Sequence, residues 1–267
     1  MKKSLLVTQI SNCDYPLYRQ WLEKYHLWFD EIIIYFDISF RFPIFSSFIQ
    51  SSLSHLPDME FIDPIEFDRE TRDWRDTSTN EMLKHATGDW VISIEQDWFT
   101  KDWDRLLETS EKMMNQFDLF GWWNETNSPY IHPAFWFMKR EALEKTSKDF
   151  SPHPEINGAD HFSTITQEAL KNGLKVGKIQ DFGYETNVLT PEKTDAFHLG
   201  GVNQNFLNGL TDGYNFHRGE LFNIYNYETL KVKPLHPIYE EMVQKLAVKL
   251  NGMYPEVDKN WEQFFKI

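Results

Sequence analysis

Read from the amino terminus, the chain alternates short, continuous apolar runs with stretches where apolar side chains return every three or four residues. Continuous runs suit strands covered on both faces, and the wider spacing suits helices with one buried stripe. Residues 5–10 form the first run. Leu17, Trp21, Leu22, Tyr25, Trp28 and Phe29 follow at helical spacing, with Asp14 as a candidate cap and Pro16 in the first turn. Residues 31–36 are a second, β-branched apolar run. Strand, helix and strand within the first 37 residues make a βαβ unit, whose crossover is expected to be right-handed.

The alternation continues. The Phe- and Ser-rich residues 40–56 read as a helix with loops, and residues 59–62 as a third strand. Ser78 and Glu81 form a capping-box pattern for a helix through His85, with Gly88 placed to end it. Residues 90–94 are a fourth strand; Trp103, Leu106, Leu107, Met114 and Phe117 mark a helix; residues 119–123 and 135–138 are strands. Residues 161–172 read as a helix ended by Gly173, with a strand near 175–179. Beyond about residue 205 the pattern weakens: Ile238, Met242 and Leu246 suit one helix, and Trp261, Phe264 and Phe265 a packed tail. The order of elements predicts an α/β fold, an open and mostly parallel sheet flanked by helices. That domain is expected over residues 1–205, with a short helical extension packed on it over 206–267.

Composition narrows this picture. Of 267 residues, 41% are hydrophobic and 16% aromatic, enough for a sizeable core. The single cysteine, Cys13, excludes an internal disulfide and fits a reducing compartment. The apolar run at 5–10 is too short for a signal-peptide core or a membrane span, so a cytoplasmic protein is expected, in the host cytoplasm if phage-encoded. The net charge of −14 disfavours nucleic acid as a partner, although a local basic patch is compatible with it.

In open α/β sheets ligands bind beyond the carboxyl ends of the strands, so the residues just after each strand carry the chemistry. Asp37, after the second strand, suits a ribose hydroxyl or base edge, and equally a turn. Glu95 and Asp97 follow the fourth strand and would point the same way if strand geometry continued. Hard divalent cations are held by one or two such carboxylates together with substrate phosphates. Asp160 opens a helix, where it suits either a general base or an N-cap. His198 precedes the glycine pair 200–201, which would let backbone approach a ligand, and a lone histidine there suits a structural role. Trp98, beside the acidic triplet, is the candidate for stacking on a ligand ring; Trp122 and Trp123 would divide one inside and one out. His132, His153 and His161 have no close ligand spacing and are assigned no metal.

These residues, in this order, resemble the GT-A fold glycosyltransferases, especially the large family 2 and its relatives. The resemblance runs through Arg19 to His26 before a strand ending at Asp37, then Arg75, Asn80, Ala86, Gly88, Asp89, Trp90, Val91, Ile94 and Asp97. It continues in Phe135, Met138, Arg140 and Glu141, loosely in Asp149 and Phe150, and in Asp160 ahead of Gly173, covering about residues 4–180. It implies a nucleotide-sugar donor, a UDP-sugar favoured, and Mn²⁺ or Mg²⁺ bound by Asp97, with His198 as a third ligand of the kind some of these enzymes supply. Asp37 would contact the nucleoside, Arg75 and Asn80 would line the nucleotide pocket, and Gln9 and Glu95 are counted with them. Asp160 would be the base of an inverting displacement by an acceptor hydroxyl, on a carbohydrate or another hydroxyl-bearing molecule. Two departures stand out: Glu95 replaces the usual aspartate, and Ala159-Asp160 replaces an acid pair, with Glu155 as a substitute acid. Two alternatives stand beside this reading: a glycosyltransferase acting on hydroxylated bases in phage DNA, and a nucleotidyltransferase or silent nucleotide-sugar-binding module. The segment at 11–15 has neither glycine nor a basic residue, which disfavours the nucleotidyltransferase.

Overall fold

The computed structural model describes residues 1–9, 15–36, 46–63, 74–95, 98–100, 102–124, 129–157, 159–184, 186–188, 196–198, 225–226 and 231–232. They belong to two compact units: Met1–Thr8, Leu27–Tyr35 and Asp58–Gly200 in the first, Gln9–His26, Phe36–Pro57 and Gly201–Ile267 in the second. The first unit is built on a seven-stranded sheet. In chain order its strands are β1 (Lys3–Gln9), β2 (Glu31–Phe36), β3 (Met59–Ile62), β4 (Trp90–Ile94), β6 (Leu119–Asn124), β7 (Tyr130–Lys139) and β8 (Val176–Lys178); a short β5 (Trp98–Thr100) lies outside it. The order across the sheet is β3-β2-β1-β4-β7-β6-β8. Strand β1 is parallel to β4, β2 to β3 and β6 to β8, while β7 runs antiparallel to both its neighbours. This is the mostly parallel α/β architecture that the sequence predicts.

The apolar runs are continuous because both faces are covered. Leu6, Ile33, Val91, Trp136 and Met138 lie on one face, where they meet Met82 of α3 (Trp74–His85), Ala142 and Leu143 of the short α5 (Arg140–Leu143), and Ile165 and Ala169 of α6 (Ser163–Lys171). The alternate residues of the same strands build an aromatic layer on the other face. Phe120 stacks on Phe137 at 4.7 Å between ring centroids, Phe135 lies 5.1 Å from Phe137, and Trp98 stacks on Phe135 at 4.4 Å. Trp103, at the start of α4 (Trp103–Met114), meets Trp98 edge-on at 5.9 Å. Asp102 caps α4 by accepting the Arg105 N–H at 2.9 Å.

At the amino ends of β1, β2 and β4 one carboxylate ties the strands together. Glu31 accepts from the Ser4 hydroxyl, the Thr87 amide and hydroxyl, the Gly88 amide at 3.0 Å and the Lys2 ammonium at 2.9 Å. Gly88 also donates to Ser4 Oγ at 2.7 Å, and a Cβ at this glycine would stand 2.4 Å from that oxygen. On the far side of the 86–89 loop, Arg140 donates to the carbonyls of Ala86 at 2.7 Å and Gly88 at 2.8 Å. The sequence pattern around Ala86, Gly88 and Arg140 is therefore a register clamp. Burial pushes the Glu31 carboxyl up, but the hydrogen bonds from Ser4, Thr87 and Lys2 outweigh it and hold the pKa at about 2.

Several sequence expectations change here. Helix α3 begins at Trp74, so Ser78 is fully buried inside it, 3.4 Å from the Thr8 hydroxyl, and is no cap. Gly88 does not end the helix: it lies three residues past His85 and is required for close approach to Ser4. The helix read through Phe29 is α1 (Tyr15–Tyr25) in the second unit, followed by a 3-10 turn at His26–Trp28. The helix expected from 161 starts at Ser163, and Gly173 does follow it with φ +70°. Helix α2 (Ser46–Leu53) falls within the stretch read as helix and loops. The helix at 238–246 and the tail at 261–265 lie outside the described residues; within the extension, Tyr225–Asn226 pairs antiparallel with Lys231–Val232.

Past the end of β8 a side chain continues the sheet. The Gln180 amide donates to the Trp123 carbonyl at 2.7 Å and accepts the Trp123 N–H at 3.1 Å. Among the described residues no helix is long and apolar enough to cross a membrane.

The Glu31 clamp predicts an acid-sensitive fold. Its folded pKa of about 2 lies below the ordinary 4.5, so its stabilisation is full above pH 4.5 and is lost as pH falls toward 2. Glu31→Gln is expected to lower stability at neutral pH by about 2 kcal/mol, after allowance for solvent screening. It should also flatten the stability profile across that acid window, measured by urea titration at several pH values.

Candidate functional site

The candidate site lies at the carboxyl ends of β4 and β6, where β7 enters. Strand β4 stops at Ile94. Glu95 N–H donates to the Ala134 carbonyl at 2.9 Å, and Trp98 N–H donates to the Glu95 carbonyl at 3.0 Å. This i-to-i+3 bond closes the connection from β4 to β5. The expectation that Glu95 and Asp97 share a direction rests on a residue outside the described ones. Glu95 is half-buried; Gln96 and Asp97 lie outside the described residues.

Strand β5 pairs antiparallel with β10 (Ala196–His198), which pairs parallel with β9 (Thr186–Val188). The register sets His198 opposite Trp98, the residue that follows Asp97 in the chain. The backbone thus brings the position of the candidate third ligand beside the acidic triplet from about 100 residues away in sequence. Among the described residues no three His, Cys, Asp or Glu side chains gather as metal ligands.

Strand β7 carries a bulge at this end. Gly121 pairs with Trp136, but Trp123 pairs with Ile131, so one residue of β6 faces four of β7, residues 132–135. Pro133 sits in that segment and has no N–H to give. The Ala134 N–H turns from the ladder to His132 Nδ1 at 3.1 Å. Gly121 permits the bulge: a Cβ there would lie 2.3 Å from the Phe135 carbonyl oxygen and 2.7 Å from Ile131 Cγ2. The His132 ring lies against Trp122, with centroids 4.2 Å apart.

Asp160 is brought to this bulge by α6. Ile131 N–H donates to Thr166 Oγ1 at 3.2 Å, and Gln167 donates to the Pro129 carbonyl at 3.1 Å. Asp160 N–H donates to the Tyr130 hydroxyl at 3.1 Å, which also accepts from Asn124 at 2.9 Å. Burial, reinforced by the nearby Asp160 charge, pushes the Tyr130 hydroxyl above its ordinary value, so it stays protonated. The Asp160 side chain does not cap α6. Its Oδ1 accepts the His161 N–H at 2.8 Å, while its backbone carbonyl takes the Ser163 hydroxyl at 2.6 Å. His132 Nε2 stands 3.8 Å from Asp160 Oδ2, and His161 Nε2 stands 3.8 Å from Oδ1. The carboxylate is about one-third exposed and the two histidines far less.

The cap position of α6 is Phe162, at φ +70°. A bulky residue in this region costs of order 1–3 kcal/mol and persists only when its surroundings impose it. Phe162 is buried, stacked on Trp136 at 4.4 Å and 5.9 Å from Phe150. The packing of this ring holds the bend that presents Asp160 and His161.

The other sequence candidates take varied places. Gln9 ends β1 and Arg75 sits in the first turn of α3; Asp37 lies outside the described residues. Asn80 uses both amide hydrogens within the protein, to Asp76 Oδ1 at 2.8 Å and the Lys148 carbonyl at 3.1 Å. Asp76 Oδ1 also accepts the Phe150 N–H at 2.9 Å, so Asn80 helps fasten the 148–150 loop to α3. Trp98 is 1% exposed with its face on Phe135, which leaves no surface for a sugar to stack on. Trp122 and Trp123 are both 7% exposed, not one in and one out, because each sheet face is covered. Glu155 is exposed, its N–H donating to His153 Nδ1 at 3.3 Å. His132, passed over in the sequence for want of ligand spacing, is the residue that the bulge brings to Asp160. The only local trace of that was a proline inside an apolar run.

No family model and no curated protein matches this sequence. Among solved structures, the chain is similar to a mannosyltransferase from Pyrobaculum calidifontis in complex with GDP-Man and Mn²⁺, at 15% identity and a TM-score of 0.45, over 66% of this chain and 54% of that one. It is similar to S. aureus TarS in complex with UDP-GlcNAc at 13% identity and TM-score 0.46, over 99% and 78%. It is also similar to a CMP:2-keto-3-deoxy-manno-octonic acid synthetase complexed with CTP, at 11% identity and TM-score 0.42, over 67% and 89%. The chain spans about half the length of the mannosyltransferase. The likeness in each case is one of fold alone.

The bulge is expected to tolerate no side chain at Gly121. Gly121→Ala should destabilise the protein by about 1–3 kcal/mol through overpacking, seen as a fall of several degrees in Tm.

Proposed function

We propose that the chain is a nucleotide-sugar-dependent glycosyltransferase, with donor and acceptor chemistry meeting at the carboxyl end of β4. The observation that carries this reading is the β5–β10 register, which pairs His198 with Trp98 beside Asp97. A carboxylate and an imidazole suit a small divalent cation such as Mn²⁺ or Mg²⁺, with diphosphate oxygens completing its shell. Asp97 and His198 would hold the ion, which would supply charge neutralisation to the leaving nucleoside diphosphate. Glu95 contributes at the edge of this site, its backbone fixed by Ala134.

Asp160 is the base in this reading. One of its oxygens is engaged by the His161 N–H, and the partly exposed carboxylate has room for an acceptor hydroxyl. As the new C–O bond forms, the hydroxyl proton passes to Asp160 and the bond to the diphosphate breaks with its electron pair. Direct displacement of this kind inverts the anomeric centre. The acceptor is a hydroxyl-bearing molecule such as a carbohydrate; the net charge of −14 disfavours a nucleic acid.

A thermal-shift screen of UDP- and GDP-sugars with and without Mn²⁺ tests the reading. A cognate donor at 100 times its Kd stabilises by about 2.7 kcal/mol. Asp97→Asn should keep the Tm of the free protein, lose the Mn²⁺-dependent part of the shift and lose turnover. Asp160→Asn should keep the shift and lose nucleoside diphosphate release. Full turnover by Asp97→Asn would refute the metal role.

A further inference from the structure

The bulge in β7 does more than interrupt a ladder. It links the end of β4 to the candidate base through three groups in series. Glu95 N–H is held by the Ala134 carbonyl, the Ala134 N–H is held by His132 Nδ1, and His132 Nε2 faces Asp160 Oδ2. The middle bond decides the chemistry of the ring. A nitrogen that accepts a backbone N–H carries no proton, so the neutral imidazole must carry its proton on Nε2. That proton is on the side of Asp160. In this tautomer His132 offers Asp160 a donor and has no lone pair there with which to take a proton.

We propose that His132 is the positioning residue for Asp160: a fixed Nε2–H donor, set by the β7 bulge, that orients the carboxylate for proton abstraction. The separation of 3.8 Å is longer than a hydrogen bond, and catalytic contacts of this kind tighten when substrate is bound. Oδ1 is already anchored by the His161 N–H. Fixing Oδ2 from a second direction stops rotation of the carboxyl group and sets the direction in which it meets the incoming hydroxyl proton. The Trp122 ring against one face of the imidazole keeps it in that plane. The same series of contacts relates the candidate base to Glu95 through the β7 bulge. The inference rests on the reading of Asp160 as the base.

Two measurements on the full chain test it. The first needs no turnover: ¹⁵N-histidine NMR at about pH 8, where a neutral ring is expected, with the His132 signals assigned by their loss in His132→Gln. The ring proton is expected on Nε2; a proton on Nδ1 would overturn the inference whatever the enzyme does. The second is donor hydrolysis, with UDP-GlcNAc, UDP-glucose and GDP-mannose as probes in the presence of Mn²⁺. His132→Asn retains an acceptor for the Ala134 N–H but is too short to reach Asp160. It should lower kcat by ~10–100-fold, with the donor KM and the Tm little changed. His132→Gln, whose amide reaches further, should recover part of that loss. A wild-type kcat in His132→Asn, or a loss matched by a fall in Tm, would mean that the histidine only braces the bulge. Asp160→Asn is measured alongside: wild-type hydrolysis in that variant sinks the base assignment, while the tautomer reports on His132 independently.

Discussion

One carboxylate at the amino ends of the central strands sets the geometry on which everything at their other ends depends. Glu31 binds groups from Lys2, Ser4, Thr87 and Gly88, and thereby fixes β1, β2 and the entry to β4 against one another. Strands that are locked at one end arrive at the other in a defined register. Ile94 then falls opposite Phe135, and the bulge of β7 falls beside Glu95. Because a one-residue slip would send every side chain to the other face, the clamp is a precondition for the site even though it touches none of it.

At the carboxyl ends the regular ladder is given up deliberately. The extra residues in β7 redirect the Ala134 amide to a side chain, a use of bulges that recurs next to functional sites. The strained φ of Phe162 does the same for α6, turning the chain so that Asp160 and His161 precede the helix without capping it. Both irregularities are held by buried rings, Trp122 on His132 and Trp136 on Phe162. The aromatic content of the chain therefore serves two ends: bulk in the core and rigidity around one carboxylate.

How legible this was in the sequence depends on range. The strands were readable because their signal is local, five or six consecutive apolar residues between turns. The motif around Ala86, Gly88, Asp89 and Trp90 was visible as a pattern, but its meaning, a glycine pressed on Ser4 and carbonyls held by Arg140, needs partners more than 50 residues away. Ser78 misled because a capping pattern is also compatible with a buried helix interior, and only tertiary contact separates the two. Asp160 stood out in the sequence as a candidate and His132 did not, for a physical reason. A helix start announces its aspartate locally, whereas a bulge is a mismatch between two strands and leaves no periodic mark on either. Trp98 was misjudged because adjacency to an acidic triplet says nothing of which face a ring packs against.

The Gln180 amide that pairs with Trp123 occupies the backbone groups where a further strand would otherwise dock. An unpaired strand edge is a template for other chains and a route to aggregation. Here a single glutamine satisfies it, and a side chain cannot propagate a ladder. The stretch of β6 that runs past β8 is thus finished by a side chain, which shields that stretch from edge-to-edge pairing.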